Sequence, residues 1–218
     1  MTARKKKPDE KAAVLAAALE HAAFDGFTDK SLARAGEAAG VDDATLARLF
    51  PNGAVSLVEA FSDSIDAEME ARLAKRKLAT LKIRERIKAA VTARIDALRP
   101  HKEAARRAAA FLTLPPHAAL GAKLLYRTVD AMWRAAGDTS TDFNFYTKRA
   151  ILAGVYSSTM LRWFNDDSED EAVTHAFLDN RIENVMQFEK LKAQVKERAK
   201  ALPSLGDVLG ALRRSSTR

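Results

Sequence analysis

The sequence predicts an all-α protein. Ala, Leu, Lys, Arg and Glu dominate its 218 residues, whereas β-branched residues are few and Gly and Pro are sparse. This composition favours helix over most of the chain. Apolar residues recur at helical spacing in successive segments, and no alternating strand pattern of useful length occurs between them. Glycine, proline and small polar residues separate the segments, at the places where helices end.

The first quarter of the chain predicts three short helices, and a longer one follows. Gly26, Gly40 and the Pro51-Asn52-Gly53 turn are the stop signals. The helices run from Asp9 to about Phe24, from a Thr28 cap through Ala39, over Ala44–Phe50 after an Asp42 or Asp43 cap, and from about Ala54 toward Leu73, with a break before Leu81.

Longer helices are expected in the second half. Pro100 and Pro115-Pro116 end two of them, and a loop of small polar residues separates two others. An acidic loop, Asn165–Asp170, is interpreted as solvated, and Ser168-x-x-Glu171 reads as a capping box. The predicted helices are Leu81–Leu98, Lys102–Leu114, Ala118–Ala136, Asp142–Phe164 and Glu171 to about Ala201, before a last segment near Pro203.

No catalytic or metal-binding set is found. The absence of cysteine excludes disulfides, thiolate metal sites and cysteine nucleophiles. The four histidines are far apart and are never spaced as metal ligands. There is no glycine-rich phosphate loop, nucleophile elbow or Glu-x-x-His pair. We therefore expect no enzyme activity, no catalytic residues, no metal and no cofactor.

Positive charge is unevenly distributed. The chain has a net charge of +7, yet residues 25–60 carry −3, residues 72–107 carry +10 and residues 190–218 carry +6. Clustered cations favour contact with phosphates of lipid or nucleic acid. The middle and the C-terminal end are therefore the regions expected to meet such groups.

The first helices form a helix-turn-helix around Gly40. The segment AAGVDDATLARLFPNGAVSLVEAF, residues 38–61, resembles the N-terminal domain of tetracycline-repressor-type regulators. In those proteins a third helix enters the major groove of DNA. Here that helix opens with Asp42-Asp43 and carries one cation, Arg48, and Gly53 stands where such regulators have a lysine. Because DNA binding requires several cations, nucleic acid is not an expected partner.

The junction between a polar loop and a helix, residues 136–156, has an unusual composition. Aromatics make up 7% of the chain, yet three of them and two cations follow Asp142 within two helical turns. Asp142, Phe145, Tyr146 and Arg149 can share one helix face, and exposed aromatics with arginine are typical of binding hot spots. The alternative is that the aromatics pack against Trp133, with Asp142 as a cap and Arg149 in an internal ion pair.

The same run resembles a more specific family, the lipid-binding accessory protein of coenzyme Q (ubiquinone) biosynthesis, the ninth protein of that pathway. The matching stretches extend over roughly residues 11–194, and the chain resembles a bacterial member of that family. They are Asp130-Ala131-Met132-Trp133, Gly137-Asp138, Ser140-Thr141-Asp142-Phe143-Asn144-Phe145-Tyr146-Thr147-Lys148-Arg149, Val155-Tyr156, Thr159, Phe177-Leu178-Asp179-Asn180-Arg181-Ile182 and, in the first helices, LAAALEHAAFDGFTDKSLARAGEAAGV, residues 15–41.

The resemblance implies a tetracycline-repressor-like fold without DNA activity, whose body binds a lipid or isoprenoid quinone intermediate. It also implies hand-over of that intermediate to pathway enzymes, chiefly the di-iron hydroxylase that acts on demethoxyubiquinone. Carried over by position, the surface that docks this hydroxylase comprises Met132, Asp142, Phe145, Tyr146 and Arg149. Phe145 stands where the family usually has tryptophan, so an indole N–H contact is lost there.

The pocket for the lipid is expected between the apolar faces of the body helices. Each of its candidate residues could equally be ordinary core. The candidates are Ile87, Val91, Phe111, Leu125, Val129, Ile151, Val155, Phe177 and Val185.

The C-terminal segment predicts contact with a membrane surface. Its leucines and valine form one stripe, cations flank the stripe, and Gly206 and Gly210 make it a poor helix in water. The family's amphipathic C-terminal helix supports the same interpretation, whereas docking on the body is the alternative. The membrane-binding candidates are Leu202, Leu205, Val208, Leu209, Leu212, Arg213 and Arg214.

These predictions divide the chain into a disordered basic tail (1–8), a helix-turn-helix head (9–53), a helical lipid-binding body (54–200) and a membrane-associating segment (201–218). The protein is expected in the cytoplasm, peripheral on the inner membrane, and as a homodimer that pairs through its last helices. A ligand-responsive transcriptional regulator is the alternative function, and a structural adaptor with a filled core is a third.

Overall fold

The computed structural model describes residues 9–139 and 143–201, without the side chains of residues 143–144, 192–193 and 195–201. Within this part the chain is helical and has no strand. Four short 3-10 turns, at residues 78–80, 99–101, 115–117 and 169–171, join some of the helices. The α-helices are α1 Glu10–Asp25, α2 Asp29–Ala38, α3 Asp43–Leu49, α4 Ala54–Ala74, α5 Ile83–Leu98, α6 Lys102–Thr113, α7 Ala118–Ala135, α8 Phe143–Phe164 and α9 Ala172–Ala201.

Local capping explains why the head helices begin where they do. The carboxylates of Asp9 and Asp42 accept hydrogen bonds from backbone N–H groups three residues on. Thr28 and Ser31 form a reciprocal capping box at the start of α2. Gly26 and Gly40, both at positive φ, follow the ends of α1 and α2. The predicted starts and stops of these helices are confirmed to within one or two residues.

The head packs as a helix-turn-helix and shares its core with the body. Gly36 on α2 lies so close to Leu46 on α3 that a Cβ atom would come within 2.7 Å of the leucine side chain. Phe27 stacks on Phe61 of α4, with 5.8 Å between ring centroids. Helix α1 also contacts α4 and α6. The head therefore rests on the body through apolar contacts.

The body is a bundle in which α4, α5 and α7 pack together and α8 lies between α7 and α9. Trp163 near the end of α8 is fully buried, as are Met69 of α4, Ile95 of α5 and Leu178 of α9. In the described part of the chain, no helix is both long and apolar enough to cross a bilayer.

The predicted capping box at the start of α9 is wrong. Residues 169–171 form a 3-10 turn with Asp170 and Glu171 at positive φ, and α9 begins at Ala172. The Glu171 carboxylate accepts from the indole N–H of Trp163 at 2.7 Å and from Arg99, so it faces the body. Ser168 instead accepts a hydrogen bond from the N–H of Val173.

The acidic loop is also less solvated than predicted, because Asp166 is only 4% exposed. Its carboxylate accepts from the backbone and hydroxyl of both Ser168 and Thr174. Burial acts to raise the pKa of Asp166, but these hydrogen bonds outweigh it and hold the pKa well below its ordinary value. Asp166 thus joins the end of α8 to the start of α9.

Candidate functional site

An apolar cavity of about 450 Å³ lies in the body between α4, α5, α6, α7 and α8. Its inner wall consists of buried side chains, among them Phe61 and Ile65 of α4, Leu98 of α5 and Leu124 of α7. A cavity of this volume with mostly apolar walls falls in the range typical of small-molecule sites.

One end of the cavity is polar and buried. Arg94 of α5, only 7% exposed, donates from Nε to the carboxylate of Asp66 on α4 at 2.7 Å. Its Nη1 donates to the hydroxyl of Tyr156 on α8, and its Nη2 is 3.4 Å from the hydroxyl of Ser62. Thr128 of α7 donates to the same Asp66 carboxylate at 2.9 Å. We call Ser62, Arg94, Thr128 and Tyr156, with Asp66 behind them, the polar end.

Burial and neighbouring groups affect the pKa values of Arg94 and Tyr156 at the polar end. Burial acts to lower the pKa of Arg94, but the facing Tyr156 and Asp66 together act more strongly to raise it. The pKa of Arg94 therefore lies above its ordinary value. Burial raises the pKa of the Tyr156 phenol. At neutral pH the arginine is therefore charged and the tyrosine keeps its proton, so both are hydrogen-bond donors.

The other end of the cavity opens to solvent. Thr113 at the end of α6, Ala118 and Ala122 at the start of α7 and Leu161 of α8 line it and are exposed. Leu161, at 66% exposure, is a large apolar side chain in contact with water. This mouth lets an apolar chain reach the cavity between α6, α7 and α8.

The predicted pocket residues divide between two cavities and the core. Leu125 lines the large cavity. Ile87, Ile151, Val155 and Val185 line a smaller one of about 90 Å³, beside Trp133. Four positions line neither cavity: Val91 and Val129 are fully buried core, Phe111 stacks on His117 at 4.0 Å, and Phe177 lies below Arg181. Their roles as ligand contacts stay predictions.

Sequence reasoning missed the polar end. Arg94 follows Val91 by three residues and precedes Leu98 by four, so it lies on the apolar face of α5 rather than with the other cations. A lone cation on an otherwise apolar helix face is a signal of a buried ion pair. Its partner Asp66 is 28 residues away on α4, and sequence spacing does not reveal that contact.

The predicted docking surface is split between surface and interior. Tyr146 is 66% exposed, and Phe145 beside it is half-buried. Met132 is fully buried and Arg149 is only 3% exposed, so both lie beneath the surface. Asp142 lies outside the described residues. In this arrangement Tyr146 is the predicted contact that a partner can reach directly.

Arg149 anchors the start of α8. It donates to Asp130 of α7 and to Asp138 in the loop at 2.7 and 3.2 Å, and to the carbonyl of Phe145. Its guanidinium lies over the Phe145 ring, 3.3 Å from the centroid. The ion pair matches the alternative interpretation of Arg149 as an internal residue. It also holds Phe145 and the neighbouring Tyr146 in place.

Gly53 has positive φ, and a Cβ atom there would collide with the Asp29 carboxylate, which also accepts from the N–H of Ala54. A lysine would therefore be strained at this position. Among the described residues, no group of histidine, aspartate and glutamate is arranged to hold a metal ion. The membrane-binding candidates Leu202, Leu205, Val208, Leu209, Leu212, Arg213 and Arg214 lie outside the described residues.

The chain is similar in sequence to known proteins. The family model COQ9 matches residues 118–189, which span α7, α8 and most of the described part of α9. The chain is 37% identical over 196 residues to the mitochondrial ubiquinone biosynthesis protein COQ9 of Rattus norvegicus, covering 87% of this chain and 62% of that protein. It is 33% identical over 196 residues to the mitochondrial COQ9-B of Xenopus laevis, covering 87% and 67%.

A solved structure resembles the fold. A TetR transcriptional regulator from Nitrosomonas europaea matches with a TM-score of 0.63 and 21% identity, covering 79% of this chain and 95% of that chain. The predicted all-α, tetracycline-repressor-like fold is thereby confirmed. At this identity the likeness concerns the fold alone.

Proposed function

This chain belongs to the COQ9 family, and from that membership we propose that it acts in ubiquinone biosynthesis as a non-catalytic, lipid-binding accessory protein. It binds a lipid or isoprenoid quinone intermediate and presents it to membrane-associated enzymes of the pathway. The rat and frog relatives are named for ubiquinone biosynthesis. The chain spans 62% of the length of the rat protein.

The large cavity is the observation that carries the lipid-binding role. It is apolar over most of its wall, is reached through an open mouth and holds about 450 Å³. A pocket of this volume with mostly apolar walls is typical of sites that take small hydrophobic molecules. A hydrophobic molecule enters through the mouth and is shielded from water inside.

The partner is the di-iron demethoxyubiquinone hydroxylase, which docks around Tyr146. A large aromatic side chain that is mostly exposed on a fixed helix start is the kind of anchor that interfaces use. Arg149 supports it from below through its contacts with Asp130 and Asp138. In this role Phe145, Arg149 and Met132 position the surface, and Tyr146 makes the contact.

The protein works at the cytoplasmic face of the inner membrane and as a homodimer. Residues 201–218 bind the membrane surface through their apolar stripe and cations, which attract anionic lipid. Pairing uses the last helices, and Phe188 and Leu191 of α9 are large exposed apolar side chains there. Burying such side chains at a shared surface is favourable.

Native mass spectrometry and lipid extraction test the lipid-binding role. We expect purified wild-type protein to retain a phospholipid or an isoprenoid quinone. In Ala122→Trp the indole occupies the mouth, so the recovered lipid should fall several-fold. Ala119→Trp is the matched control, because Ala119 is also exposed on α7 but does not line the cavity.

The outcome distinguishes carriage from an adaptor role. Lipid-free wild-type protein under mild extraction would contradict the proposal. An equal loss of lipid in both tryptophan variants would show that the mouth is not the route of entry. Circular dichroism should report the same helix content for all three proteins.

A further inference from the structure

We propose that the cavity binds its ligand head-first, with a neutral, hydrogen-bond-accepting head group, such as a quinone carbonyl, at the polar end and the apolar chain leaving through the mouth. This inference rests on the proposed lipid-binding function. It adds the orientation of the ligand and the chemical class of its head group.

The arrangement of polar and apolar walls sets the orientation. Ser62, Arg94, Thr128 and Tyr156 line one buried end, and among these Arg94, Thr128 and Tyr156 are less than a tenth exposed. The opposite end, by Ala118, Ala122 and Leu161, is open. A head group that enters the cavity gives up its hydrogen bonds to water, and the groups of the polar end can replace them, whereas the other walls are mostly apolar. The head therefore pairs with the donors inside, and the chain points outward through the mouth.

The polar end offers donors. Arg94 has five N–H groups, and the described residues accept three of them, through Asp66, Tyr156 and Ser62. The Tyr156 hydroxyl accepts from Arg94, and among the described residues no hydrogen bond uses its proton. A carbonyl oxygen accepts up to two hydrogen bonds, so it matches this pair of donors.

Charge favours a neutral head over a phosphate. The Arg94 cation is already paired with the Asp66 carboxylate at 2.7 Å, so the polar end has no net charge. A phosphate there would bring a further negative charge beside Asp66 in a low-dielectric site. An unpaired buried charge is strongly unfavourable. A neutral carbonyl uses the same donors without that cost.

The volume is consistent with a head and the beginning of a chain. At roughly 30 Å³ per heavy atom, the size of a water molecule in liquid, a cavity of about 450 Å³ holds on the order of 15 heavy atoms. This is room for a substituted ring and the first carbons of its chain. A long isoprenoid tail must therefore extend through the mouth, past Leu161.

Two probes with the same ten-carbon chain separate the head groups. Isothermal titration calorimetry with decylubiquinone and with decyl phosphate, both below their micelle concentrations, should give at least about tenfold tighter binding of the quinone by the wild-type chain. Tyr156→Phe should weaken quinone binding about three- to tenfold and leave phosphate binding unchanged. Thr159→Val is the matched control, since within the described part of the chain the buried Thr159 hydroxyl bonds only to Val155 of its own helix and does not line the cavity.

Equal affinity for the two probes, or a Tyr156→Phe variant that binds the quinone as the wild type does, would overturn the head-first orientation while lipid binding itself stood. Failure of the wild type to bind either probe would overturn the lipid-binding function as well. Should Tyr156→Phe fold poorly, Ser62→Leu places a larger apolar side chain at the same end, where it takes the space of the head group. It should then weaken quinone binding, and unchanged binding would overturn the inference.

Discussion

Arg149 shows how one buried side chain can support a surface residue. It is held by two carboxylates, from Asp130 and Asp138, and packs over the ring of Phe145. Tyr146, next in sequence, packs edge-on against Phe145, with 5.1 Å between the ring centroids. The exposed tyrosine thus rests on an aromatic ring that a cation fixes from beneath. Loss of Tyr146 and loss of Arg149 should therefore have different consequences.

We expect Tyr146→Ala to keep the fold and to weaken binding of the hydroxylase, whereas Arg149→Met should lower stability. Truncating an exposed hot-spot aromatic costs about 2 kcal/mol of binding free energy. Removing one partner of a buried ion pair costs about 3 kcal/mol or more in the free energy of unfolding. Calorimetric titration with the hydroxylase and urea unfolding measure the two effects.

Two control variants accompany this pair. Tyr126→Ala removes another exposed tyrosine, on α7 and outside the docking surface, and should leave partner binding unchanged. Arg134→Met removes a mostly exposed cation that contacts the same Asp130, and a surface pair contributes only about 0–1 kcal/mol. An unfolded Tyr146→Ala protein would mean that Tyr146 belongs to the core.

At the scale of elements, helix boundaries follow from neighbouring residues, whereas junctions do not. The caps Asp9, Thr28 and Asp42 act on groups three residues away, so the sequence predicts the starts of α1, α2 and α3. The turn before α9 depends on the bonds of Glu171 to Trp163 and Arg99, 8 and 72 residues distant. Those tertiary contacts outweigh the local capping pattern, and for that reason the capping-box prediction failed.

The junction of α8 and α9 yields a pH-dependent prediction. Asp166 is buried and ionised, and four donors from Ser168 and Thr174 hold its pKa well below the ordinary value. Since its pKa is lower in the folded protein, its contribution to stability is present above the unfolded pKa of about 3.9 and is lost as pH falls below it. Asp166→Asn should lower the free energy of unfolding at pH 7 by about 2 kcal/mol.

Urea unfolding from pH 7 down to pH 3 provides the measurement. The difference between wild type and Asp166→Asn should shrink as the pH falls, because protonation removes the advantage of the carboxylate. Asp167→Asn changes an exposed neighbour and should behave as the wild type at each pH. A constant difference between wild type and Asp166→Asn over this range would contradict the assigned role of the charge.

At the scale of the whole molecule, periodicity predicts which faces of the helices are apolar but not what each face meets. Val91 and Leu125 both lie on apolar faces, yet the first is packed core and the second lines the large cavity. The difference depends on gaps between five helices, which arise only when the bundle assembles. The head differs, because its helix-turn-helix rests on local turns and caps, and its acidic charge can be read from the sequence.

The clustering of positive charge near the C-terminal end predicts binding to an anionic membrane surface. Residues 190–218 carry a net charge of +6, and the apolar stripe and cations of residues 202–214 fall within them. Each cation near an anionic leaflet contributes about 1 kcal/mol, and apolar burial adds to it. Removing residues 202–218 should therefore abolish co-sedimentation with vesicles of phosphatidylglycerol and phosphatidylcholine, while far-ultraviolet circular dichroism still reports a helical body.

Point substitutions separate the contributions of charge and apolar burial. Arg213→Gln/Arg214→Gln should weaken binding to the anionic vesicles and lower the salt concentration at which the protein leaves them. Leu205→Asp/Leu209→Asp should weaken binding at every salt concentration. Unchanged sedimentation of the shortened chain would mean that this segment docks on the protein rather than on the bilayer.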